Sequence, residues 1–429
     1  MFQDFRAAGP LPPHSQLVRS PYGTPEHPLE PKRRPRGAGG AIFGFALLMT
    51  AGTFVAAVGG EYLTAPQPDV MLRTGIAFSA DGLALVPYDR AGAGGLLSEL
   101  ATDVNAVRLA AVDLATGETR WDVQLADELD RDAAAVAAGE QYAYIATADG
   151  LEIRDLDDGA LVTEAGDVPG LEGAGTGTAA YGLDPEAGVV AFGFDGGLRT
   201  LALDALEAAP ADPATAEAWA GRLAAEGAAP QLGGMTTTEA SIGEDATIRV
   251  EPTADGAVTS GLAVVEGGDR RALGTRAYTG AAIVLDQTAT TTTWDLDVDV
   301  DGLIDGLLND PDAAEELMDD PTGAVDLTVP AGTAAGAASG HALIEHQRAP
   351  GGDGYALTVL DLADGGVTAS IDTADHVGRS MTAPGGQTIA IVAPADGLYQ
   401  SDLLIIAADG SVDRAAFGAF DLLGEPDTD

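Results

Sequence analysis

The 429-residue chain carries 21 Lys+Arg against 67 Asp+Glu, a formal charge of −46, with no Cys and 46% hydrophobic residues. That much apolar material excludes wholesale disorder, and the acidic balance excludes a nucleic-acid binder, which needs basic surface for phosphate. Without Cys there are no disulfides, thiol nucleophiles, Cys-ligated zinc, iron–sulfur clusters or attached c-type haem, and with Lys32 as the single Lys there is no Schiff-base or P-loop lysine beyond it.

Charge divides the chain unevenly. Residues 1–40 carry six basic and three acidic residues, for +3, and the remainder carries 15 basic and 64 acidic, for −49. The first 40 residues also hold eight prolines, from Pro10 to Pro35, which forbid regular helix and predict a disordered, extended tail. Between Arg36 and Glu61 lie 24 uncharged residues, almost wholly apolar or small over Ala41–Val58. As a helix they would extend about 36 Å, enough to cross a hydrocarbon core of about 30 Å.

A transmembrane signal-anchor helix is therefore expected over 41–62. The basic cluster Lys32–Arg36 ahead of it places the N-terminus in the cytoplasm and residues 69–429 outside. A cleaved signal peptide, with Val55-Ala56-Ala57 at the cleavage site, is the rival reading, and a buried soluble helix is the third.

From Asp69 onward, short apolar runs alternate with Asp-Gly and Gly-Gly turns, the pattern of antiparallel hairpins. One unit recurs: an apolar strand ending in Asp-Leu, then a polar turn closing on Gly. It appears at Asp113-Leu114 to Gly117, Asp155-Leu156 to Gly159 and Asp361-Leu362 to Gly365, and more weakly at Asp409-Gly410. The spacings 113 to 155 and 361 to 409 are 42 and 48 residues, and the interval 155 to 361 is close to five units of 41. A strand-built period in the forties predicts an all-β fold, a β-propeller of seven or eight four-stranded blades.

The copy Ala111-x-Asp113-x-x-Thr116-Gly117-x-x-x-Trp121 resembles the repeat of pyrroloquinoline-quinone-type (PQQ-like) propellers. In such a repeat Asp and Thr close the turn, Gly takes a left-handed backbone, and Trp packs between blades. That family covers its quinone with adjacent cysteines and holds it near a Trp, Lys or Arg and a calcium. This chain has no Cys, no Lys after residue 32, and only Trp121, Trp219 and Trp294, so the resemblance implies the fold without a quinone site.

Two stretches interrupt the strands. Asp212-Pro213 opens a helical run to Gly227, and Asp310-Pro311 another to Asp320; both are expected as insertions on blade loops. There is no G-x-S-x-G, and the histidines after the span are His341, His346 and His376, expected on the surface or in loops. Five residues separate His341 from His346, which on a strand sends them to opposite faces and makes a poor metal pair.

One constellation stands out. Asp297, Asp299, Asp301 and Asp305, with Gly302 between, resemble the start of an EF-hand loop and the calcium loops of integrin-type propellers, although Leu308 stands where an EF-hand has its bidentate Glu. The competing reading is an amphipathic strand, with Trp294, Leu296, Val298 and Val300 facing a core. The functional expectation is a non-catalytic, membrane-anchored propeller that binds or scaffolds an envelope protein, peptide or cell-wall component. A hydrolase or lyase acting on an envelope polymer through Asp/Glu and His is the alternative.

Overall fold

The computed structural model describes residues 69–73, 75–92, 105–228, 236–254, 257–287, 332–352, 354–395, 400–415 and 418. All belong to the compact unit Tyr62–Asp429. The expected tail 1–40, the span 41–62 and the helix near 310–320 lie outside the described residues. Among those described, no helix is long and apolar enough to cross a membrane.

The described chain is mostly antiparallel strand, in five sheets. Residues 69–126 form the first sheet, 133–163 the second and 181–210 the third. The eight-stranded sheet within 236–373 holds two blades, because its long strand Asp269–Val284 serves both. Its residues 269–279 pair with Thr259–Glu266, and residues 279–283 pair with Ile344–Gln347, with one register shift in each pairing, between Ser260 and Leu262 and between Thr279 and Ala282. Residues 379–415 form the last sheet. The described residues thus supply six four-stranded units, blades 1 to 6, with one extra strand in blade 1 and the short strand Thr236–Thr237 paired to Val284 and Ile283.

The strands read as nearly unbroken apolar runs because each blade is covered on both faces. Alternate residues of Leu83–Ala91 illustrate this: Ala84, Val86 and Tyr88 pack toward Met381, Ile389 and Ile405 of blade 6, whereas Leu83 and Leu85 pack toward Ala135 and Ile145 of blade 2. Further apolar clusters join blades 2 and 3 through Tyr144 and Val189, blades 4 and 5 through Ile248 and Ile344, and blades 5 and 6 through Leu343 and Leu404. This serial packing, returning from blade 6 to blade 1, is the arrangement of a β-propeller.

Among the described residues, no sheet contains both the first strand and the last. Blade 1 meets blade 6 through side chains, through Ser401 N–H donating to Val70 O at 2.7 Å, and through Arg90 donating to Gly418 O at 3.2 Å. A buried ion pair stiffens this side of blade 1. Arg108 Nε lies 2.9 Å from Asp122 Oδ1, and the Tyr88 hydroxyl donates to the other Asp122 oxygen. Burial, and then the negative charge of Asp122, pushes the Tyr88 hydroxyl far above its ordinary pKa, so it stays a donor.

The seam between blades 3 and 4 is built differently, for among the described residues no apolar cluster joins them. Helix α1 (Pro213–Ala228) lies against blade 3 instead. Its Trp219 donates from Nε1 to Asp184 Oδ2 at 2.9 Å, meets Phe192 edge-on at 5.8 Å, and covers Gly182, where a Cβ would come within 2.5 Å of the indole. The Asp-Pro start is legible in atomic terms: Asp212 Oδ1 accepts the N–H groups of Ala214 and Thr215 at 2.9 and 3.1 Å, an N-terminal cap.

Candidate functional site

Antiparallel alternation assigns every connection to one of two rims. Turns after the first and third strands of a blade fall on one, here the turn rim. Turns after the second strand and the links between blades fall on the other, the connection rim.

The Asp-Leu-turn-Gly units all lie on the turn rim, after the third strands of blades 1, 2 and 5. Asp113 Oδ1 accepts Ala115 N–H at 2.8 Å, Asp155 Oδ1 accepts Asp157 N–H at 2.8 Å, and Asp361 Oδ1 accepts Ala363 N–H at 2.7 Å. Gly117, Gly159 and Gly365 follow at φ of 75°, 74° and 76°, as the motif requires. The Leu of each unit is tied to the preceding turn of its own blade, with Leu114, Leu156 and Leu362 N–H donating to Gly82, Gln141 and Gly340 O. Trp121 sits between blades, its Nε1 donating to Leu156 O at 2.8 Å, and a Cβ on Gly159 would lie 2.7 Å from its ring. Asp204 of blade 3 spans to blade 2, accepting the N–H groups of Glu140 and Gln141 at 2.9 and 2.7 Å. Burial opposes ionisation of Asp204, but these backbone donors outweigh it and hold its pKa below the ordinary value.

The connection rim is built for presentation. Arg73 pins the loop between blades 1 and 2, donating to Arg131 O at 2.7 Å and Leu129 O at 3.0 Å while its Nε holds Asp89 at 2.8 Å. Beside that loop a cleft of about 160 Å³ opens over Asp132, Asp149 and Glu152. A second, of about 120 Å³, shares Asp149 and runs along the Gly-rich segment 166–176 to Tyr181. Past it stands Phe194, 81% exposed, with its backbone N–H donating to Gly173 O at 2.9 Å.

The same rim carries an oriented imidazole at the seam of blades 5 and 6. His376 Nδ1 lies 2.5 Å from Glu345 Oε1, and the other Glu345 oxygen accepts Val377 N–H at 2.7 Å. The Glu345 side chain is 4% exposed and that of His376 is 59% exposed, with its ring against Tyr355 at 4.1 Å. A buried carboxylate thus fixes one ring nitrogen and leaves the other edge toward solvent, an arrangement suited to hydrogen bonding or proton transfer.

The other two histidines correct the surface expectation. His341 and His346 are 5% and 6% exposed on the strand His341–Gln347, because both faces of that strand are covered. They do face opposite ways: His341 toward Gly410 of blade 6, His346 toward Tyr278 of blade 4, its Nε2 bonded to Thr358 Oγ1 at 2.9 Å. The expected calcium ligands Asp297, Asp299, Asp301 and Asp305 lie outside the described residues. Among the described residues no three His, Asp or Glu side chains gather as a metal site. The Glu345–His376 pair escapes sequence reasoning because its members are 31 residues apart and meet only when blades 5 and 6 pack.

No protein-family model matches the chain, and no curated protein sequence matches it. Among solved structures, it is similar to the apo isopeptidase AtxE2 at 10% identity, over 81% of this chain and 52% of that one, with a TM-score of 0.38. It is also similar to the β-propeller domain of the Trilobed protease from Pyrococcus furiosus, described as having an open velcro topology, at 9% identity over 83% and 88%, with a TM-score of 0.21. A third is the Dos1 propeller, at 8% identity over 85% and 78%, with a TM-score of 0.20. The chain spans about half the length of the isopeptidase. These superpositions are loose, and the propeller assignment stands on the sheets and seams described above.

Proposed function

We propose that this is a membrane-anchored PQQ-like propeller without a quinone site, held outside the cell by a single span at 41–62, which binds or scaffolds an envelope protein, peptide or cell-wall component on its connection rim. The observation that carries the reading is Phe194, a large aromatic left 81% exposed but fixed by its backbone to the wall of an open cleft. Aromatic side chains are frequent anchors of binding surfaces. The test is cross-linking in intact cells with the wild-type chain and with Phe194→Ala: a partner captured by the first and lost by the second supports the reading, and a partner captured equally by both overturns it. Protease added to intact cells should remove the bulk of the chain, and protection of that bulk would refute the topology.

The second reading, a hydrolase or lyase of an envelope polymer, draws on Glu345 and His376. It requires His376→Gln to abolish release of soluble fragments from purified envelope polymer while leaving the melting temperature in place. A calcium ion held by Asp297, Asp299, Asp301 and Asp305 is a separate proposal, resting on sequence alone.

A further inference from the structure

The two clefts of the connection rim adjoin at Asp149 and lead to Phe194, making one groove across blades 1 to 3. We propose that this groove takes an extended, cationic segment of a partner polypeptide, an inference that rests on the binding reading above and supplies its chemistry.

Charge selects the occupant first. The groove presents Asp127, Asp132, Asp149, Glu152 and Glu172; Arg131 lies 3.3 Å from Asp149 and 3.4 Å from Glu128, and Arg154 lies 2.8 Å from Glu152, which leaves the carboxylates in excess. In a region that carries −49 after residue 40, an anionic polymer is repelled and a cationic one is drawn in.

The wall selects a polypeptide. Gly166 and Gly173 stand at φ of 84° and 79°, with nothing within 4 Å of where a Cβ would be. Both glycines are exposed, so the main chain of a partner can come close on that side. The backbone of the anchor is held: Phe194 N–H is tied back to Gly173 O, and Asp195 Oδ1 closes the next turn on Gly197 N–H at 2.9 Å. An apolar side chain on the partner can cover the exposed ring.

The probe is a short synthetic peptide alternating Lys with Phe, compared with its Glu-for-Lys counterpart by fluorescence anisotropy against the full-length protein in detergent micelles. The Lys peptide should bind, more weakly as salt rises, and the Glu peptide should not. Phe194→Ala should weaken binding about tenfold. Asp149→Asn with Glu172→Gln should weaken it and flatten its salt dependence, whereas Asp157→Asn with Glu186→Gln, both exposed on the turn rim, should leave it unchanged. Equal binding of the two peptides overturns the proposal, as does equal weakening by the groove pair and the turn-rim pair. If the Lys peptide fails while a cellular partner is still lost with Phe194→Ala, the cationic chemistry is wrong and the binding reading survives. If neither responds to Phe194→Ala, both fall.

Discussion

The two rims spend the same residue types on different ends. On the turn rim Asp113, Asp155, Asp204, Asp361 and Asp409 accept backbone N–H groups and fasten turns, so their charge is used inside the fold. On the connection rim Asp132, Asp149 and Glu172 line clefts, and an aromatic ring and an imidazole face solvent. High acidity alone therefore says little about a site; what separates a turn-closing Asp from a recognition Asp is whether a backbone donor already sits on its oxygens. Substitutions of the turn-closing Asp residues of the turn rim should cost stability and spare binding, and those of the cleft-lining carboxylates of the connection rim should do the reverse.

The largest expected effect is Trp121→Ala, which removes the 6%-exposed indole from between blades 1 and 2 and leaves Leu156 O without its donor. The loss should be about 3–5 kcal/mol, read as a lowered urea midpoint. A loss below about 1 kcal/mol would mean that the motif Trp is peripheral and that the seam rests on its aliphatic residues.

The second effect is set by pH. Burial, and then the charge of Asp204, pushes the Tyr144 hydroxyl up to about 12, and Tyr88 is raised further by burial and Asp122. A folded-state pKa above the unfolded value of about 10 contributes stability that is complete below that pH and is lost as pH rises toward the folded value. Stability should therefore fall from about pH 10 upward. Tyr144→Phe should lower stability at neutral pH, since it removes the bond to Ala205 O at 2.9 Å, and should make the alkaline fall shallower. An unchanged alkaline slope would sink the assignment.

Single turn-rim carboxylates come next. Asp361→Ala removes the acceptor for Ala363 N–H and should cost about 1 kcal/mol by thermal or urea denaturation. Its effect on Lys-peptide binding should be nil; a matching loss of binding would erase the distinction between the rims.

How much of this was legible follows from the range of the interactions. The Asp-x-x-x-Gly turns were readable because every bond that makes them lies within five residues, as in Asp113 O accepting Gly117 N–H at 2.8 Å. The helix after Asp212 was readable for the same reason. The blade count was less legible, because a fixed period divides the interval from Asp155 to Asp361 evenly, whereas among the described residues that interval shows third-to-fourth-strand turns at 202–208 in blade 3 and 267–268 in blade 4. Helix α1 and residues 288–331 account for much of the surplus chain. The burial of His341, His346 and Glu345 was invisible because HALIEHQ does not alternate, and which face meets which blade is decided by partners hundreds of ångströms of chain away.

The smallest expected effect concerns residues 288–331, which lie outside the described residues and contain Asp297, Asp299, Asp301 and Asp305. If these carboxylates form an alternating series, those on one face repeat at about 7 Å, and in so acidic a region their repulsion is unfavourable. A hard divalent ion with six to eight oxygen ligands relieves it, with backbone carbonyls and water in place of the Glu absent at Leu308. Lacking that bidentate ligand, the site should be weak, and when free calcium equals its dissociation constant the gain is only about 0.4 kcal/mol. The expected result is a small, saturable rise in melting temperature on adding calcium, mostly lost in Asp299→Ala with Asp301→Ala. The same rise in the double variant would leave the amphipathic strand as the reading, and the carboxylates of this segment would then serve solubility, as their neighbours serve turns.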